Sequence, residues 1–154
     1  MTQKQKDLLL KDLCVRLPYG VKVQCLSHQI PLKILSINPN GVTWVTGDKG
    51  YPFEVDWKDC RPYLFPLSSM TEEQKKEISK RYNYYNLYQS HVEITNHREG
   101  YWDTDNSCNL QDYLWLEDWY NKNHFDYRGL IPMGLANDST VLNIYKDYGK
   151  EISN

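Results

Sequence analysis

The sequence predicts an α+β protein: an N-terminal helix, a small SH3-like bent antiparallel barrel, then a helical, aromatic-rich C-terminal part. Three observations carry that expectation. Apolar residues recur at helical spacing near the N-terminus and again over 110–122. Between Gly20 and Pro66 the period falls to two. Two turn clusters, Asn38-Pro39-Asn40-Gly41 and Gly47-Asp48-Lys49-Gly50, punctuate that middle region. The expected division is residues 1–66, the first helix and the barrel, against 67–154, the helical part packed on it.

The first helix is expected over 2–14. Thr2 can cap it, Leu8, Leu9 and Leu13 form a short stripe, and Leu17-Pro18-Tyr19-Gly20 stops it. In the strands, Val21, Val23 and Cys25 alternate with Lys22 and Gln24. Leu32 and Ile34 should face one way, and Lys33, Leu35 and Ile37 the other. Val42, Trp44 and Thr46 alternate with Thr43 and Val45. Tyr51, Phe53 and Val55 begin a fourth strand, and Arg61 to Phe65 add a fifth. Trp44, Tyr51, Phe53 and Trp57 could surround a cation as an aromatic cage, although filling the barrel explains the same rings.

Ser69-x-x-Glu72 fits a capping box and opens a helix expected to reach about Tyr85 along Ile78 and Tyr82. His91 to Thr95 reads as a short strand. Asp103-x-Asp105-x-Ser107 resembles the opening of a calcium loop, but Cys108 and Leu114 stand where Gly and Glu are required, so no metal is expected there. Asn137-Asp138-Ser139 reads as a turn, and Val141, Leu142, Ile144 and Tyr145 as a last strand or helical turn.

The stretch from Tyr113 to Ala136 holds the candidate binding residues. A helix capped by Ser107 or Asn109 places Leu110, Tyr113, Leu114, Leu116 and Tyr120 on one face and Gln111, Asp112, Asp118 and Lys122 on the other. Trp115 falls among the polar residues, Trp119 on the boundary and Glu117 inside the apolar arc. Asn121-Lys122-Asn123-His124 ends the helix, where asparagine tolerates left-handed backbone and Lys and His suit the dipole. Trp115 reads first as a ring half-covered by a neighbouring segment and second as an exposed aromatic anchor, and the anchor set it would join is Trp119, Tyr127 and Arg128. Glu117 is expected to pair with Arg128 or Lys122, and His124 with Asp126 completes a dense polar turn.

Three blocks, LCVRLPYGVKV, RPYLFPLSSMTEEQKKE and HFDYRGLIPMGLA, follow one another in this order. Together they resemble small uncharacterised proteins carried by Bacteroides-type gut bacteria and their phages or prophages. The resemblance implies a cytoplasmic bacterial or phage protein. It carries no activity, cofactor or catalytic residue.

Composition narrows the function classes. Thirteen tyrosines and five tryptophans against three phenylalanines favour a core with wet edges, and also binding surfaces. No apolar run approaches the roughly 20 residues of a membrane span, and the N-terminus lacks a signal-peptide pattern, so the expected compartment is the cytoplasm. The net charge of −2 disfavours a dedicated nucleic-acid binder. Residues 1–66 carry nine Lys/Arg and six Asp/Glu, and residues 101–154 carry four and nine, so a basic front and an acidic back could attract each other within one chain or between two copies of a homodimer. The four cysteines lack zinc-knuckle spacing and are expected as reduced, mostly buried thiols. No nucleotide, phosphate, hydrolase or metalloprotease motif is present, and no cofactor is expected.

The reading that ranks first is a non-catalytic protein-interaction module of phage or mobile-element origin with an unknown protein partner. Single-stranded nucleic-acid binding through Lys22, Lys33, Arg81 and the tyrosines ranks second. A small hydrolase using Glu117 or His124 ranks third.

Overall fold

A computed structural model of the chain describes residues 1–38, 40–47, 50–82 and 110–145. Helix α1 (Gln3–Arg16) starts in a full capping box, with the Thr2 hydroxyl accepting from the Gln5 N–H and the Gln5 side chain accepting from the Thr2 N–H. A 3-10 turn (Leu17–Tyr19) closes on Gly20, whose φ of 66° supplies the left-handed cap. Its buried stripe is Leu9, Asp12, Leu13 and Arg16, a regular helical face with two charges in it.

Strands β1 (Lys22–Cys25), β2 (Leu32–Ile37), β3 (Val42–Thr46), β4 (Phe53–Asp56), β5 (Cys60–Leu64) and β6 (Asn137–Asp138) form one sheet in the order β4-β3-β2-β1-β5-β6. All pairings are antiparallel except β5 with β6. Among the described residues the sheet is open, with β4 and β6 at its edges, so the expected SH3-like bent barrel is not closed. Closure would require the two edge strands, β4 and β6, to pair with each other. Here β5 returns to β1, but among the described residues β6 pairs with β5 and β4 with β3, so the ends of the sheet do not meet.

Two strand expectations shift. A register change between Ile34 and Ser36 puts Ile37 opposite Thr43 and against the core, instead of on the outer face with Lys33 and Leu35. A bulge inserts one residue and so inverts the alternation beyond it. Asn137-Asp138, expected as part of a turn, is the short parallel strand β6, paired with Tyr63 and Leu64. Turns do occupy the following segment, where Val141 and Leu142 are exposed.

Helix α2 (Glu72–Tyr82) is capped two residues later than expected. Thr71 and Gln74 exchange the capping bonds, while the Ser69 hydroxyl donates to the Pro66 carbonyl in a 3-10 turn. The expectations for 83–109, including the strand at His91, the Asp103–Ser107 loop, Cys108 and the cap at Ser107 or Asn109, lie outside the described residues.

Helix α3 (Leu110–Lys122) buries Leu116, Trp119, Tyr120 and Asn121. Leu114, expected on the apolar face, is 54% exposed, and Trp119, expected on the boundary, is 5% exposed. The stripe is thus rotated toward Trp119, whose ring stacks on Phe125 with centroids 5.7 Å apart.

Two apolar clusters result among the described residues. The first joins Leu9 and Leu13 of α1 to the inner face of the sheet, Val23, Leu32, Ile34 and Val45, and to Leu130, Leu135 and Ala136, so residues on both sides of position 66 share it. The second gathers Met70, Ile78, Leu116, Trp119, Tyr120, Phe125 and Tyr127. No helix among the described residues is long and apolar enough to cross a membrane.

Candidate functional site

Six polar residues at the junction of α1 and α3 form one network, most of it buried. Arg16 and Asp12 are one turn apart on α1, and their side chains meet at 2.8 Å with both fully buried. The second Asp12 oxygen accepts from Arg128 at 2.8 Å, across 116 residues of chain. Arg128 donates further to Asn121 at 3.2 Å and to Glu117 at 2.8 Å, and the Tyr127 hydroxyl donates to the same Glu117 oxygen at 2.9 Å. The Arg128 guanidinium lies 4.3 Å over the Tyr127 ring. Two arginines against two carboxylates balance the charge, the condition under which buried ions are tolerated.

Arg16 also docks the end of α3. Its guanidinium donates to the Tyr120 carbonyl at 3.4 Å and to the Phe125 carbonyl at 2.8 Å, placing a cation at a helix C-terminus. The helix ends in a Schellman arrangement. The Phe125 N–H bonds the Tyr120 carbonyl and the His124 N–H bonds the Asn121 carbonyl. The left-handed residue is His124, with φ of 57°, and not one of the asparagines the sequence suggested. Glycine is the usual occupant because a Cβ costs about 1 kcal/mol in this conformation.

His124 therefore sits in a conformation its side chain disfavours. The ring is buried, its Nδ1 has no hydrogen-bond partner among the described residues, and it stacks on Tyr145 with centroids 4.0 Å apart. Burial, with the positive charge of Arg16 nearby, pushes its pKa down to about 3, so the ring is neutral at pH 7. On the other side of the turn, Asp126 accepts from the Leu130 and Ile131 N–H groups at 2.8 Å each. Burial raises its pKa against those two bonds. His124 and Asp126 share no hydrogen bond, and each orients a different part of the chain.

A cleft of about 750 Å³ opens beside His124. The 3-10 turn at Pro18 and Tyr19 forms one wall and the Thr140–Tyr145 segment another. Phe65, Phe125 and Leu142 supply apolar surface, Thr71 and Gln74 the start of α2, and Lys33 and Lys122 the charge. No carboxylate is among its described lining residues. Backbone bonds fix the frame: Phe65 donates to the His124 carbonyl at 2.9 Å and accepts from the Asp126 N–H at 2.8 Å. The Tyr145 hydroxyl donates to the Tyr63 carbonyl and accepts from the Lys22 N–H, pinning the far wall across β1 and β5. A Tyr19–Asp118 hydrogen bond ties the first wall to α3.

The residues singled out in the sequence fall into two groups. Glu117, Tyr127 and Arg128 meet in the buried network, as the expected Glu117–Arg128 pairing requires. Trp119 is core, and Trp115 is half-buried against the second cluster. Trp119, Tyr127 and Arg128 thus spend their side chains inside the fold rather than on an exposed anchor surface. Of the expected set only His124 also lines the cleft. The aromatic cage does not assemble: Trp57 is buried in the first core, Phe53 packs inward against His28, and Trp44 and Tyr51 are exposed.

The sequence reading missed Asp12 and Arg16. Their signal was present, since a charged pair at i and i+4 on the face of Leu9 and Leu13 must be buried with them. No family model, curated protein or solved structure matches the chain. Among the described residues no group of three or more His, Cys, Asp or Glu side chains could hold a metal ion.

Proposed function

We propose that the protein is a non-catalytic interaction module that receives an acidic, partly apolar segment of a partner polypeptide in the cleft beside His124. The observation behind this reading is the lining itself, where apolar surface from Phe65, Phe125 and Leu142 is combined with Lys33 and Lys122 and no described carboxylate. Such a surface favours a chain that offers apolar side chains together with a negative charge. The strained backbone and unpartnered Nδ1 of His124 add support, because strain that a fold retains is often found at binding sites. A non-catalytic role fits the chemistry of the two candidate acid–base groups. Glu117 is held by Arg128 and Tyr127, and His124 is too weak a base to accept a proton near neutral pH. The bacterial or phage origin belongs to the same proposal and rests on the three sequence blocks alone.

Selection from a random peptide display library, followed by amide-shift titration with the enriched peptides, tests it. The expected result is enrichment of Asp or Glu beside an aromatic or aliphatic residue, shifts at Lys122–Phe125 and Thr140–Tyr145, and a loss of about tenfold in affinity for Lys122→Glu. A single-stranded oligonucleotide titrated in parallel serves as the competitor. Oligonucleotide binding that falls steeply with salt, without peptide binding, would replace this reading with nucleic-acid recognition. Absence of binding to either would remove the cleft as a site.

A further inference from the structure

We propose that Cys25 and Cys60 form a thiol–disulfide exchange site, at which a low-molecular-weight disulfide of the glutathione class converts the pair into a cross-strand disulfide. Cys25 is the last residue of β1 and Cys60 the first of β5, and they are direct partners in the antiparallel ladder. The Leu26 N–H bonds the Asp59 carbonyl at 3.3 Å, immediately outside the pair. That bond identifies Cys25–Cys60 as a non-hydrogen-bonded pair, the register in which opposed side chains come closest. The two Sγ atoms lie 3.1 Å apart, inside the contact distance of two sulfurs. A disulfide at about 2.05 Å then needs a closure of only about 1 Å.

The thiol of lower pKa attacks first. The two sulfurs share one S–H···S contact in which either can donate, and that contact holds the Cys25 pKa below its ordinary value, while the contact and burial push Cys60 up. Cys25 is therefore the thiolate that attacks one sulfur of glutathione disulfide, expelling one glutathione thiolate and leaving a mixed disulfide. Cys60 gives its proton to solvent and its sulfur attacks Cys25, releasing the second glutathione. Two protein thiols are oxidised to one disulfide, and one glutathione disulfide is reduced to two thiols.

Both thiols are buried, so access must come through the end of the sheet. The pair lies at that end, next to a turn in which Leu26 is 78% and Ile30 59% exposed, where local opening costs least. The bond would close a loop of 35 residues that contains β2, β3 and β4, tying the base of the meander to the centre of the sheet. The exposed Cys14 on α1 lies on a different element.

The test equilibrates the purified full chain in glutathione redox buffers, blocks remaining thiols with N-ethylmaleimide in denaturant, and maps the proteolytic peptides by mass. A second arm refolds the reduced, denatured chain in the same buffers, which removes burial as a barrier. The expected product is one cross-linked peptide pair carrying Cys25 and Cys60, lighter than the reduced pair by two hydrogens. It should come with a Tm rise on the order of 5–10 °C that dithiothreitol reverses and Cys60→Ser abolishes. Alkylation of both residues in the two arms, a glutathione adduct retained on Cys25, or a crosslink to another cysteine would each overturn the proposal.

Discussion

Asp12 and Arg128 stand 2.8 Å apart with both side chains fully buried, joining the first helix to the turn after the last one. Asp12 also holds Arg16 at 2.8 Å, so one carboxylate bridges two guanidinium groups and Glu117 supplies the second negative charge. Removing it leaves two buried cations with one acid between them, and that acid, Glu117, is 25% exposed. Asp12→Asn is expected to lose about 3–5 kcal/mol in urea denaturation, the range for an uncompensated buried charge. Glu117→Gln, at the wetter end of the network, should lose less than about 2 kcal/mol, because water reaches the vacated position. Equal losses would show that the network does not have the graded burial described.

His124 gives the stability a pH dependence of known sign. Its folded pKa, about 3, lies below the roughly 6.5 of an unfolded histidine. The unfolded chain therefore binds the extra proton first, and stability is complete above pH 6.5 and declines as the pH falls toward 3. Between pH 7.5 and 5.0 the decline should be about 2 kcal/mol. Asp126 acts in the opposite sense, because burial raises its folded pKa above the unfolded value and protonation then favours the native state. Comparison with a His124 variant over the same pH range isolates the histidine. His124→Asn, which tolerates left-handed backbone, should remove that decline. A wild-type curve flat between pH 7.5 and 5.0 would contradict the burial of a neutral ring.

The strands and both outer helices were legible because each depends on local pattern. The alternation of Val21, Val23 and Cys25 and the turn at Asn38–Gly41 act within a few residues, and the structure keeps them. What escaped the sequence depends on partners far along the chain. The bulge after Ile34 is an adjustment between β2 and β3, and no residue type marks it. Asn137 and Asp138 become a strand only because Tyr63 and Leu64 offer a free edge. The cleft is the least legible feature, since its walls come from five separate stretches between Pro18 and Tyr145. Glu117 and Arg128 were legible as a pair because only 11 residues separate them, whereas Asp12 is 116 residues from Arg128.

Two tryptophans separate core from surface. Trp119 is 5% exposed and stacked on Phe125, whereas Trp44 is 42% exposed on the outer face of the sheet. Trp119→Ala should lose about 3–5 kcal/mol, the usual loss for a buried aromatic ring. Trp44→Ala should lose under about 1 kcal/mol, because the removed ring was already half in water. Acrylamide quenching provides an independent reading, with the Trp44→Ala variant losing more of the quenchable emission than a conservative Trp119→Phe variant. Equal quenching losses would place both rings in similar surroundings.

Gly129 tests backbone conformation apart from packing. Its φ is +72°, and a Cβ built there would meet Met133 and Pro132 at 3.9 Å, ordinary contact for a side chain. Space is therefore not the constraint, and the energy of Gly129→Ala should come from the left-handed backbone alone. That amounts to about 1 kcal/mol in chemical denaturation. Gly129→Asn should recover part of the loss, because asparagine enters this region more readily than alanine. The order Gly, then Asn, then Ala distinguishes backbone strain from a steric clash, under which the larger asparagine would be the least stable of the three.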